Sequence, residues 1–195
     1  MPTITLLTTE EQKEFESPPC FTDKQRRTYF VLSDDLQRIL RRLQGKTNKL
    51  CFFVQLAYFM ASQQFYDVER FLSEDLHYAA RILGYSDYDN EELMTYGNSR
   101  TFRNHQQRII ELLGYQPYNK EAKFQLSQEA SHYVEKQNHP KKIFIMLLKL
   151  LQQKRIVFPS YYALSKIISE AYIEQEKRFL AITKQTIPAT LCKQL

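Results

Sequence analysis

Apolar positions recur at three- and four-residue spacing along almost the whole chain, the period of helices with one buried face. Leu36, Ile39, Leu40 and Leu43 form one such face. Leu50, Phe53, Val54, Ala57 and Met60 form a second, and Leu76, Ala79, Ala80 and Leu83 a third. In the segment Arg100 to Tyr115 the inward set is Phe102, Ile109, Leu112 and Leu113. Near the far end, Leu164, Ile167, Ile168, Ala171, Tyr172 and Phe179 are candidate core positions. Period-two alternation is scarce, with 154–158 the only short strand candidate and readable equally as an extended connector.

The polar residues between these faces supply helix boundaries. Thr8 with Glu11 has the form of a capping box, and Ser33 before Asp34 and Asp35 is an N-cap with favourable first-turn charge. Thr47, Ser73, Asn119 and Ser160 read as further helix starts, and Pro140 suits a first turn, where its missing N–H costs nothing. Gly45, Gly84 and Gly114 read as stops. Ile82-Leu-Gly-Tyr85 and Leu112-Leu-Gly-Tyr115 echo one another; each glycine can take the left-handed conformation of a helix end. Shared helix-ending chemistry accounts for this echo, and a duplicated helix-turn-helix unit is the alternative. The chain therefore reads as all-α and multi-helical, with about eight or nine helices that allow two helix-turn-helix-like subdomains. The expected division is 1–118, 119–182 and a tail or linker over 183–195.

Composition narrows the functional classes. Thirteen Phe and thirteen Tyr without Trp predict an aromatic-rich interior, and only four glycines leave few tight turns. Cys20, Cys51 and Cys192 are odd in number and widely spaced, which argues against a disulfide framework. Nor do His77, His105, His132 and His139 fall at zinc-ligand spacing with them. The start of the chain lacks the basic region of a signal peptide, and the apolar run from Ile143 to Leu151 is too short to span a bilayer. The expected setting is a reduced cytoplasm, with no membrane partner.

Charge is distributed in blocks. The net value is +5, yet Asp23 to Lys49 carries eight basic against three acidic residues, and Lys136 to Arg155 carries six against none. Gln64 to Thr95 is the reverse, with eight acidic against two basic. Because phosphate contacts are local, such blocks say more about nucleic acid than the total does. Solvated helix faces that never converge are the plain alternative. Asp87, Asp89, Glu91 and Glu92 fail as a calcium loop: Glu92 occupies the position that needs glycine and Asn98 the closing glutamate position. No nucleophile–base pair or phosphate-cradling glycine loop is present in the sequence. No catalytic residue, metal ligand or cofactor is expected, and the cysteines are read as core packing.

Four segments in order carry a resemblance. They are Leu32-Ser-Asp-Asp-Leu36, Asn48-Lys-Leu-Cys-Phe-Phe-Val-Gln-Leu-Ala-Tyr58, Arg100-Thr-Phe-Arg-Asn-His105 with Leu113-Gly-Tyr115, and Arg155-Ile-Val-Phe-Pro159. Together they resemble the amino-terminal region of the large transposases of the Tn-three family, the replicative class II transposons of bacteria. The resemblance runs from Leu7 to about Arg178 and rests on the order and spacing of the four motifs. Lys49, Cys51 and Ser160 stand where the family favours arginine, glycine and glycine. The resemblance implies a helical module that binds double-stranded DNA at the terminal inverted repeats of its transposon, in a nucleoid-associated bacterial protein. It also implies that strand cleavage belongs to a ribonuclease-H-like domain beyond residue 195. This chain is then expected to be a DNA-binding region or a truncated remnant that binds without cutting, with any self-association made by regions outside it.

The residues themselves give three candidate DNA-binding clusters. The first is Arg38, Arg41, Arg42, Lys46 and Lys49; the second is Arg100, Arg103, His105 and Arg108; the third is Lys141, Lys142, Lys149, Lys154 and Arg155. Arg100 and Arg103, at a helix start, are expected to meet base edges, and the lysines to hold phosphates. His105 reads either as a polar DNA contact or as a satisfied half-buried residue. The competing function is a helical protein-interaction module without DNA specificity, using aromatic-rich faces and the acidic stretch 87–92.

Overall fold

The computed structural model describes residues 4–137 and 139–186. These form ten α-helices and one 3₁₀ turn, with no strand among the described residues. In order, the helices are α1 (Thr9–Glu16), α2 (Asp23–Tyr29), α3 (Asp34–Arg41), α4 (Lys46–Ser62) and α5 (Ser73–Ile82). They continue with α6 (Asn90–Gly97), α7 (Arg100–Leu113), α8 (Lys120–Glu135), α9 (Pro140–Gln153) and α10 (Tyr161–Thr186). The 3₁₀ turn is Val68–Arg70. Helix α10 runs past the expected tail boundary at 183; the remainder of that tail, with Cys192, lies outside the described residues.

Contacts group the chain into two units, Lys13–Pro117 and the paired segments Met1–Gln12 and Tyr118–Leu195. Within Lys13–Pro117, α4 is the hub, packed against α2, α5, α6 and α7. Every residue from Leu50 to Phe59 on it is buried. A helix apolar on all sides needs neighbours on all sides. Its ends escape: Lys46 is exposed in the first turn, and Met60, expected inward, is 45% exposed in the last. Aromatic rings fill the surrounding space, with Phe30 edge-on to Phe53 at 5.5 Å and Tyr58 edge-on to Phe71 at 5.5 Å.

Helix α2 has no apolar period and no buried residue, and periodicity passed over it. A capping box starts it: Gln25 N–H donates to Thr22 Oγ1 at 3.3 Å, and Thr22 N–H donates to Gln25 Oε1 at 2.9 Å. An ion network then anchors it. Arg26 Nε donates to Asp75 Oδ1 at 2.8 Å, and its Nη2 pairs with Glu74 at 2.6 Å. The Asp75 side chain is fully buried and also accepts from Tyr58 OH at 2.9 Å, so α2, α4 and α5 share one polar core. Asp75, first of these causes, raises the Arg26 pKa further.

In the second unit, α8, α9 and α10 pack on one another. Ile143, Leu147, Leu151, Leu164 and Ile168 are fully buried, and Leu126 and Ala130 face the same core. The segment before α1 belongs here, although the sequence reading assigned it to 1–118. Ile4 N–H donates to Ser169 Oγ at 2.8 Å and Leu6 N–H to Tyr161 OH at 3.1 Å, while Glu11 pairs with Lys141. The expected core position Phe179 is 56% exposed.

Candidate nucleic-acid interface

Helix α7 starts where the sequence places a basic segment. Phe102 N–H donates to Ser99 Oγ at 3.2 Å, which caps the helix and sets Arg100 in its first turn. Gly114 ends it with φ 66°, and Tyr115 N–H reaches back to Ile110 O at 2.9 Å. Phe102, His105, Ile109 and Ile110 face inward. Arg100 and Arg103 are exposed and make no ion pair among the described residues. Arg108 is half-buried, and Leu112, expected in the core, is 44% exposed.

His105 is a core residue, which removes it from the DNA-facing set. Its ring is 6% exposed and lies edge-on to Phe52 at 5.3 Å. Tyr96 OH accepts from Gln55 Nε2 at 2.9 Å and lies 2.8 Å from His105 Nδ1. In the tautomer that carries its proton on Nε2, Nδ1 accepts the phenol's proton. Burial, and then the charge of Arg108, lowers the His105 pKa to about 4, leaving a neutral imidazole. The polar chain Gln55–Tyr96–His105 fixes α4, α6 and α7 together, a structural task for the motif's histidine.

The first basic cluster lies on α3 and the start of α4. Arg38 pairs with Asp35 one turn before it; both side chains are largely exposed. Arg41 and Arg42 are exposed at the end of α3, where cations complement the helix dipole. Lys46 Nζ lies 5.9 Å from the Tyr85 ring centroid, and Lys49 is half-buried. Thr47 does not cap α4 as expected. Its hydroxyl donates to the Glu92 carboxylate, and Gly45 occupies the cap position with φ 79°.

That bond marks a cleft of about 480 Å³ lined by Gly45, Thr47 and Asn48 from the start of α4 and by Ser99 and Thr101 from the start of α7. The starts of α4 and α7 therefore meet at one opening within Lys13–Pro117, although no arginine or lysine of the first two clusters lines it. Asp89, Glu91 and Glu92 form its opposing lip. Asp89 also caps α6, accepting from Glu91 N–H at 2.7 Å, which gives the acidic stretch a helix-start role. A carboxylate near the amides of α4 suits the helix dipole. The charged side chains that line the opening, Asp89, Glu91 and Glu92, are all acidic.

The third cluster lies in the other unit. Lys142 and Lys149 are exposed seven residues apart on α9, about 10 Å along one face. Lys141 is paired with Glu11, and Lys154 Nζ donates to Gln125 Oε1 at 2.9 Å. Arg155 has φ 52°, and Ile156 N–H bonds Leu151 O at 2.9 Å. This is the helix stop that glycine makes after α5 and α7, built here with arginine.

Sequence reading missed a groove of about 670 Å³ between α2 and α5, lined by Arg26, Arg27, Glu74, Tyr78 and Arg81 among others. The Arg81 guanidinium lies 5.2 Å from the Tyr78 ring centroid. No local signal pairs two helices so far apart in sequence. Cys51 is buried, and burial pushes its thiol pKa up, as befits a packing residue. Among the described residues, no group of three or more His, Cys, Asp or Glu side chains is placed to hold a metal ion. None of the described helices is long and apolar enough to cross a membrane.

No curated protein matches the chain. The sequence model of a domain of unknown function, DUF4158, matches residues 6–171, and its span takes in all three basic clusters and both units. The chain belongs to the DUF4158 family.

Proposed function

We infer that this chain is a DNA-recognition region of a Tn-three-type transposase, binding terminal inverted repeats without cutting them. One observation carries the reading most: Arg100 and Arg103 stand exposed in the first turn of α7, free of ion pairs among the described residues. Helix starts with donor-rich side chains suit base edges in the major groove. Exposed Lys142 and Lys149 suit phosphates, which position a protein without reading sequence. The order of the four sequence motifs supports the transposase assignment.

The test is a salt titration of binding to a duplex carrying the terminal repeat beside a scrambled duplex of equal length. A preference for the repeat that persists as salt rises is expected. Arg103→Ala should weaken repeat binding and blur that preference, by roughly 1–3 kcal/mol of discrimination. Lys142→Ala should weaken both duplexes alike and flatten the salt slope by about one. Equal losses on both duplexes for both variants would sink this division of labour.

A second reading, a protein-interaction module, is favoured by one feature. Exposed Phe179 and Leu180 line a groove of about 570 Å³ with Val134 and Tyr172. Salt-fragile binding to both duplexes alike, or no binding, would move the assignment to that face.

A further inference from the structure

Phe124 is 63% exposed on the outer face of α8, opposite the buried Ala122, Leu126, Ala130 and Val134. Its neighbours on that face are Lys120 and Glu121 one turn before it and Gln128 one turn after it. Lys123 adjoins it. The bond from Lys154 Nζ to Gln125 Oε1 brings the end of α9 beside these first turns, and Arg155 follows directly. Lys120 and Lys123 thus share the first turns of α8 with this phenyl ring, Lys154 is bonded to the residue after it and Arg155 follows Lys154 in the chain, with Glu121 the carboxylate on the ring's own face. Arg155 holds a left-handed backbone that non-glycine residues occupy at a cost, and such strain gathers at working surfaces.

The geometry points to a nucleic-acid contact of a second kind: Phe124 stacks on an unstacked base while Lys120, Lys123, Lys154 and Arg155 hold the flanking phosphates. This rests on the reading that the chain binds nucleic acid, and it adds the class of site, DNA with at least one unpaired or splayed base. Aromatic rings interleaved with cations are the physical makings of single-strand platforms, since every base offers a π-face. Apolar wedges likewise enter duplex steps that open easily. A protein-docking face would be a contiguous apolar patch. Phe124 is instead bordered by charged and amide side chains, in contrast to Phe179 and Leu180.

The test uses the full chain and three probes of equal length: oligothymidylate, an intact repeat duplex, and the same duplex with a two-nucleotide bulge. Phe124→Ala is expected to weaken the single strand and the bulged duplex roughly ten- to hundredfold and to spare the intact duplex. The chain has no tryptophan, so Phe124→Trp supplies a sole indole reporter. Its emission should be quenched by oligothymidylate and by the bulged duplex, and not by the intact one. Unchanged affinities in Phe124→Ala, or equal losses on all three probes, overturn the proposal, as does an indole that no probe quenches. If the intact repeat is still bound in an Arg103-dependent way, only the stacking proposal falls. If none of the probes is bound, the DNA reading falls with it.

Discussion

His105 sits in a motif that invites a DNA-binding reading, yet its chemistry is that of a neutral core group. Its folded pKa of about 4 lies below the ordinary value near 6.5, so the unfolded chain takes up the proton first as pH falls. The stability this creates is complete above about pH 6.5 and is lost as pH drops towards 4, a loss of up to roughly 3 kcal/mol. His105→Gln keeps an acceptor for Tyr96 and removes the titration. Urea unfolding midpoints from pH 7 to 4 should fall less steeply in that variant, and parallel curves would refute the assignment. Arg155 offers the opposite test, because a left-handed arginine is a sacrifice of stability. Arg155→Gly should raise stability by about 0.4–1 kcal/mol while weakening duplex binding. A destabilised variant, or one with unaltered binding, would show that the arginine is held there for packing.

At the scale of elements, the buried carboxylate of Asp75 joins three helices. Removing one member of a buried pair strands the other, so Asp75→Ala should cost about 3–5 kcal/mol. Arg26→Ala should cost a similar amount, and the double variant clearly less than the sum. Additive losses in chemical denaturation would mean that the network is not a unit. Helix starts were legible because caps are local. Thr8 with Glu11, Ser33, Asn119 and Ser160 all bond as the spacing of their residues predicts. Thr47 has the same chemistry, but a carboxylate 45 residues away takes its hydroxyl. Helix α2 shows the reverse failure. Its capping box stood in the sequence at Thr22 and Gln25, yet a search led by apolar period skipped a helix held by charge.

For the whole molecule, what sequence could not supply was which distant pieces meet. The pattern of Leu6 and Leu7 says only that they are apolar; long-range bonds to Ser169 and Tyr161 tie that segment to α10. The same holds for the cleft, where the starts of α4 and α7 meet from more than fifty residues apart in the chain, and for its acidic lip. The consequence can be measured as ion release. Each phosphate neutralised by a lysine or arginine adds about 0.9 to the slope of log affinity against log salt. If Lys142 and Lys149 hold phosphates, replacing both by alanine should lower that slope by about two, on repeat and scrambled duplex alike. Replacing Arg100 and Arg103 together should instead collapse the ratio between the two duplexes, because base contacts carry the preference. The two pairs lie in different units, so their effects should add within about 0.5 kcal/mol when all four are changed. A slope that ignores Lys142 and Lys149 would leave α9 as a solvated face and confine the DNA contacts of these four residues to α7.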